Sequence, residues 1–285
     1  MTEWFNKRVD LPYFCVVGSP IAHSRSPFIH SAFAAQCGLE LIYEKVEVKA
    51  GRLADAAAEF RAAGGRGLNV TVPLKEEAWA LATRRMPRAD RAGAANTLWF
   101  DGDEVVADNT DGVGLVCDLE RNHGVPLAGK RILLLGAGGA TRGALPALLM
   151  AAPARILVSN RTAERAAAVV AAYADSGVVD VLPWGGVASL PCDVIINATT
   201  LSLLGEVPKL DPSALHAGSL CYDMMYGQQP TSFLRWARAG GVTRTIDGLG
   251  MLVEQAACAF ALWHGRAPRT AAVIAELRAQ LAGSD

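Results

Sequence analysis

The chain lacks the features that usually mark a metal site, a membrane span or a polyanion partner. Its six cysteines, at positions 15, 37, 117, 192, 221 and 258, stand alone, with no C-x-x-C pair and no Cys/His cluster at zinc spacing. The five histidines are scattered too, so no protein-held metal is expected. Isolated thiols suit a reducing compartment, and a cytoplasmic location is expected. Lys plus Arg number 27 and Asp plus Glu 28, a net charge of −1, which gives no reason to expect binding to nucleic acid or an anionic membrane. No apolar run approaches the length of a bilayer span. The stretch from Met1 to Arg8 lacks the basic-then-apolar layout of a signal peptide. What is present is a chain of 285 residues, 51% hydrophobic and 19% charged, which excludes disorder and allows two domains.

Strand and helix signals alternate along the chain, which argues for α/β layers with mainly parallel strands. In the first third, strands are predicted at 13–17, 41–48 and 67–72. Helices are predicted at 28–37, 52–63 and 76–85, the first led in by Ser26-Pro27. A hairpin is predicted around Asp101-Gly102-Asp103. A second unit begins near Asp111 with a helix at 112–123. Strands are predicted there at 131–135, 155–159, 178–182, 194–197, 220–223 and 243–246. Helices are predicted at 163–174, 231–239, 251–263 and 271–281.

The most informative segment is Leu133-Leu134-Leu135 running into Gly136-Ala137-Gly138-Gly139-Ala140, with an alanine-rich helix from Thr141 to about Ala152. Glycines let backbone approach a pyrophosphate closely, and a helix start offers free N–H groups to it. Thr141 stands where the general dinucleotide fingerprint has its third glycine. The next strand, 155–159, ends in Asn160-Arg161-Thr162, with Arg165 one helical turn on. An acid at that point would select the ribose hydroxyls of NAD. Two guanidiniums and short polar side chains instead suit the extra phosphate of NADP, the expected cofactor.

Four further segments concentrate polar side chains near predicted strand ends, the edge where α/β proteins hold ligands. They are Ser24 to Pro27, Asn69 to Lys75, Gly93 to Thr97 and Asp108 to Gly112. The ordered series SPIAHSRSP, NVTVPLK, GAANT, DNTDG, GAGGA, NRT, YDMMY and DGLGMLVEQ, spread over about residues 14–264, resembles the shikimate dehydrogenase family in its biosynthetic, NADP-dependent branch. The resemblance implies an α/β protein of two domains. A substrate domain would span 1–110 plus 248–285, completed by the C-terminal helices, and a Rossmann-type NADP domain would span 111–247. It implies reversible reduction of 3-dehydroshikimate to shikimate, with Lys75 and Asp111 as the catalytic pair. Ser24, Ser26, Asn69, Thr71, Asn96, Tyr226 and Gln255 would bind the small substrate, with the serines and Tyr226 near its carboxylate. Gly136, Ala137, Gly138, Gly139, Ala140, Asn160, Arg161, Thr162, Arg165, Met224 and Gly248 would hold the cofactor. No nucleic acid, membrane or metal is implied, and the assembly would be a monomer or homodimer.

Each residue also has a plainer reading. Lys75 could be a helix lysine, Asp111 and Ser26 helix caps, and Asn69 and Thr71 polar residues of a strand edge. Two other functions share these motifs: a quinate/shikimate dehydrogenase of broader scope, and a non-catalytic NADP-binding regulator. The first is expected to carry an acid after the second strand of the nucleotide unit, and the second to have lost Lys75 or Asp111. One segment departs from the family pattern: after Asn197-Ala198-Thr199, Thr200-Leu201-Ser202 replaces Ser-x-Gly, which puts the local cofactor loop in question.

Overall fold

A computed structural model describes residues 4–5 and 10–283 and divides into two compact units, 1–114 with 253–273, and 115–252 with 274–285. The first unit opens with β1 (Tyr13–Gly18), α1 (Ser26–Cys37), β2 (Ile42–Glu47), α2 (Leu53–Ala62), β3 (Gly65–Val70) and α3 (Lys75–Leu81). It continues through β4 (Arg84–Arg85), α4 (Pro87–Ala92), β5 (Thr97–Asp101), β6 (Glu104–Asp108) and the start of α5 (Asp111–Cys117). Its sheet has the order β2-β1-β3-β5-β6-β4. β1 lies parallel to both β2 and β3, and the β5–β6 hairpin joins antiparallel to β3.

Two expectations change here. The helix predicted at 76–85 covers 75–81, because Ala82 is extended and Arg84–Arg85 pair with Val106–Ala107 of β6. A short helix, α4, then begins at Pro87, a residue suited to a first helical turn. Ser26 is not a cap: the N-cap position is Arg25, with no side-chain hydrogen bond.

The second unit contains β7 (Arg131–Leu135), α6 (Gly139–Met150), β8 (Arg155–Ser159), α7 (Ala163–Ala171), β9 (Val179–Val181), β10 (Val194–Asn197), β11 (Leu220–Asp223), α8 (Ser232–Ala239) and β12 (Arg244–Asp247). α9 (Leu249–His264) and α10 (Ala271–Ala282) follow. The six strands are all parallel in the order β12-β11-β10-β7-β8-β9, the doubly wound order of a dinucleotide fold. Both faces are covered, so alternate residues enter different cores. Ile132, Leu134, Ile156, Val158, Val194 and Ile196 join one, while Leu133, Leu135, Leu157 and Ile195 join the other. That is why these strands are continuous apolar runs. The strand order reverses between β7 and β10, which opens a crevice at their C-terminal ends.

Among the described residues, no helix is long and apolar enough to cross a membrane. None of them form a cluster of three or more His, Cys, Asp or Glu able to hold a metal.

Candidate active site

In the first unit, the ends of β3, β5 and β6 bring three polar segments together. Lys75, the first residue of α3, places Nζ 2.6 Å from Oδ2 of Asp111, the first residue of α5. The two side chains are 14% and 7% exposed, so the pair is largely shielded from water. A cation in the first turn opposes the helix dipole, and the Asp111 carboxylate compensates for it. Asn96 holds the other carboxylate oxygen, donating from Nδ2 to Asp111 Oδ1 at 2.9 Å. The same nitrogen lies 2.9 Å from Thr110 Oγ1 and 3.2 Å from Gln255 Oε1 of α9. An amide carries two protons and here faces three acceptors, of which Gln255 is the most distant.

Asn69 is buried at the end of β3. Its amide donates to Asn96 O at 3.3 Å and Thr97 Oγ1 at 3.2 Å, and it accepts from the Tyr43 hydroxyl at 2.6 Å. Both of its N–H bonds are thus spent on the frame. Thr71 follows at the strand end, its N–H on Val17 O and its carbonyl on Leu74 N. Ser24 and Ser26 lie at the start of α1, where Ser24 Oγ accepts from Ser26 N at 3.3 Å. Tyr226 belongs to the second unit, in the loop after β11.

The residues expected to hold a dinucleotide gather within the second unit. Gly136 directly follows β7 with φ +113, and a Cβ there would lie 3.2 Å from Ala198 O across the crevice. Gly138 precedes α6 with nothing within 4 Å of a Cβ, so the turn has an open face. The start of α6 has no side-chain cap, which leaves its first amides for an anion. Thr141, in the third-glycine position, is buried and donates to Gly136 O at 2.8 Å, closing the turn from inside. Arg161 and Arg165 are exposed after β8 and form no ion pair among the described residues, while Asn160 Nδ2 donates to Thr162 O at 2.9 Å. This donor set fits a phosphorylated dinucleotide. Gly248 has another reason to lack a side chain: a Cβ would lie 2.2 Å from Met224 O.

The unusual Thr200-Leu201-Ser202 run forms a 3-10 turn, 201–204, and the left-handed residue of the loop is Gly205. Ser202 therefore needs no glycine-like conformation. Its hydroxyl donates to Asp223 Oδ2 at 2.6 Å, and Asn197 Nδ2 donates to Asp223 Oδ1 at 3.1 Å. Burial pushes the Asp223 carboxyl above its ordinary value, and these donors, with Thr231 and the Met225 N–H, oppose that shift.

Several contributors were not assigned roles from sequence. Asp108, Asn109, Thr110 and Thr97 build the frame, and their adjacency to Asp111 and Asn96 was the available signal. Tyr43 had none, since β1 separates its strand from that of Asn69. Arg88 had none either, because α4 was not expected.

Comparison with known proteins agrees with this geometry. Residues 16–98 match the family described as Shikimate dehydrogenase substrate binding domain, residues 119–203 Shikimate / quinate 5-dehydrogenase, and residues 248–278 Shikimate 5'-dehydrogenase C-terminal domain. A Shikimate dehydrogenase (NADP(+)) of Alkalilimnicola ehrlichii is 52% identical over 265 residues, 93% of this chain and 98% of the relative. An Ael1 enzyme from Pseudomonas putida has a TM-score of 0.87 at 42% identity, covering 93% of this chain and 98% of that one. The shikimate 5-dehydrogenase of Thermus thermophilus, in complex with NADP(H) and shikimate, has a TM-score of 0.83 at 33% identity, covering 95% of this chain and 100% of that one. With half of its residues shared along nearly its whole length, and with the polar segments assembled as described, the chain belongs to the shikimate dehydrogenase family.

Proposed function

We propose that this protein catalyses the reversible NADP-dependent reduction of 3-dehydroshikimate to shikimate. The observation that carries this reading is the shielded Lys75–Asp111 pair at 2.6 Å, set among neutral amides and hydroxyls. NADPH, when bound at the Gly136–Ala140 turn, supplies the hydride to the ketone carbon. As the carbonyl oxygen gains negative charge it needs a cation and a proton, and Lys75 offers both. Asp111 keeps the ammonium in place and balances its charge, while Asn96 keeps Asp111 turned toward the lysine. In the reverse direction the same pair takes up the hydroxyl proton.

Ser24 and Ser26, at the uncapped start of α1, suit the ring carboxylate. Asn69, Thr71, Asn96 and Gln255 suit the ring hydroxyls, a recognition that rejects analogues lacking them. Met224 and Gly248 complete the cofactor set. All six cysteines are free thiols, which supports a cytoplasmic setting, and the assembly is taken as monomer or homodimer.

Activity on quinate is the second reading, because the middle segment matches a family described as Shikimate / quinate 5-dehydrogenase. Asn160-Arg161-Thr162 favours the first. Steady-state turnover on shikimate and quinate, each with NADP and NAD, decides between them. The expected result is highest kcat/KM for shikimate with NADP, and preference for quinate with NAD overturns the assignment.

A further inference from the structure

Between β6 and α5 the backbone passes through Asn109 and Thr110, outside strand and helix, yet both residues are buried. Three successive N–H groups there are held by side-chain oxygens. Asp108 Oδ1 accepts from Asn109 N at 2.7 Å, Asn96 Oδ1 from Thr110 N at 2.9 Å, and Asn109 Oδ1 from Asp111 N at 3.1 Å. The Asn109 amide also donates to Ala94 O at 2.9 Å, fastening this turn to the segment that carries Asn96. The turn that delivers Asp111 is therefore shaped by side chains, starting from the Asp108 carboxylate.

That carboxylate is 1% exposed, and a buried anion without a partner is strongly disfavoured. Its partner is Arg88 of α4. Nε of Arg88 lies 3.1 Å from Asp108 Oδ1, and a terminal guanidinium nitrogen pairs with Oδ2. Such a two-pronged contact fixes direction as well as charge. Arg88 keeps 33% of its side chain exposed, so one side of the fork reaches water.

The geometry points to Arg88 as a positioning residue for Asp111, acting through Asp108 and Asn109. The inference rests on the reading of Lys75 and Asp111 as the pair that handles the proton. Arg88 holds the Asp108 carboxylate in one orientation, Asp108 sets the first N–H of the turn, and Asn109 sets the backbone of Asp111. Without the fork, Asp108 is free to rotate, and the 2.6 Å approach of Asp111 to Lys75 loses its outer support.

The test compares Arg88→Ala, Arg88→Lys and Lys75→Ala in shikimate oxidation with NADP, with rates expressed per folded molecule. For Arg88→Ala, kcat is expected to fall roughly 10- to 100-fold while KM for NADP moves by less than about twofold, since misplacement of a reacting group acts on the chemical step. Added guanidinium at millimolar concentration is expected to restore part of kcat in Arg88→Ala and to leave the wild type unchanged. An arginine that merely fastens α4 would lower the folded fraction and leave kcat per folded molecule intact, and that result overturns the proposal. Should Arg88→Ala fail to fold, Arg88→Lys keeps the charge and loses the fork. Lowered kcat at unchanged KM for NADP supports the proposal there, and wild-type kcat overturns it. Lys75→Ala separates the two layers of the reading. Wild-type kcat in Lys75→Ala defeats the catalytic pair itself, whereas a collapse there with wild-type kcat in Arg88→Ala defeats only the role of Arg88.

Discussion

At the scale of single residues, Lys75 and Arg161 bear the sharpest consequences. Removing the Lys75 ammonium takes away the cation and proton source facing the developing alkoxide. Lys75→Ala is expected to lower kcat by about 100-fold or more, as loss of a general acid does, with a far smaller change in KM for shikimate. Steady-state kinetics check this, and an unaltered kcat removes Lys75 from the mechanism. Arg161 is exposed beyond β8 and pairs with no acid among the described residues, so its charge is available to a ligand. Arg161→Ala is expected to raise KM for NADP by roughly 10-fold, the loss of one charge-assisted hydrogen bond. KM for NAD stays as it was, and equal effects on both cofactors would mean that this arginine does not read the extra phosphate. Both residues were legible because each stands in a motif. Asn69 was legible as a substrate-binding candidate through its motif, but its bonds to the frame were not. Its two N–H groups go to Asn96 O and Thr97 Oγ1, and its oxygen meets Tyr43 from two strands away. Such contacts depend on sheet order, which no local window contains.

At the scale of elements, the glycine turn separates two demands that its sequence joins. Gly136 has φ +113 and a close backbone neighbour, so Gly136→Ala strains the protein itself, by about 1–3 kcal/mol for a left-handed residue with a Cβ. Gly138 has φ −92 and empty space around a Cβ, so Gly138→Ala costs the ligand-free fold little. The expected outcome is a lowered Tm without ligand for Gly136→Ala. For Gly138→Ala, Tm is near wild type and NADPH binding is weakened, read by fluorescence titration. Unchanged NADPH affinity in Gly138→Ala would show that no phosphate approaches that face. The strands of this unit were legible because parallel strands covered on both faces are unbroken apolar runs. The α3–α4 region was not. Residues 82–92 are polar and alanine-rich, with little periodicity. Their conformation is settled by the pairing of Arg84–Arg85 with β6 and by Arg84 bonding to Asp101 and Glu104.

At the scale of the whole molecule, stability carries a pH signature from His30. This residue is fully buried, stacked on Tyr43 at 4.1 Å, met edge-on by Phe33 and flanked by a tilted Phe260. Burial first and the neighbouring His264 second push its pKa down from 6.5 to about 3, against an opposing contribution from Asn69. Between these values the unfolded chain binds a proton that the folded chain refuses, so stability is full above about pH 6.5 and declines as pH falls toward 3. From pH 7 to 5 the loss amounts to about 2 kcal/mol. His30→Phe keeps an aromatic ring and removes the titrating group, so denaturant unfolding at the two pH values is expected to show a smaller decline than in the wild type. An equal decline would place the acid sensitivity elsewhere. The sequence alone was enough for the α/β class, the apolar strands of the nucleotide sheet, the glycine turn and the ordered motifs that mark the family. Those properties reside in residue type and short spacing, which backbone geometry reads directly. Tertiary structure alone decided the 2.6 Å approach of Lys75 to Asp111, that Asn96 reaches Gln255 across 159 residues, and that Arg88 grips Asp108 beneath the turn. Hydrogen bonds and ion pairs act over about 3–4 Å, and which distant side chains come that close is set by the order in which strands pair.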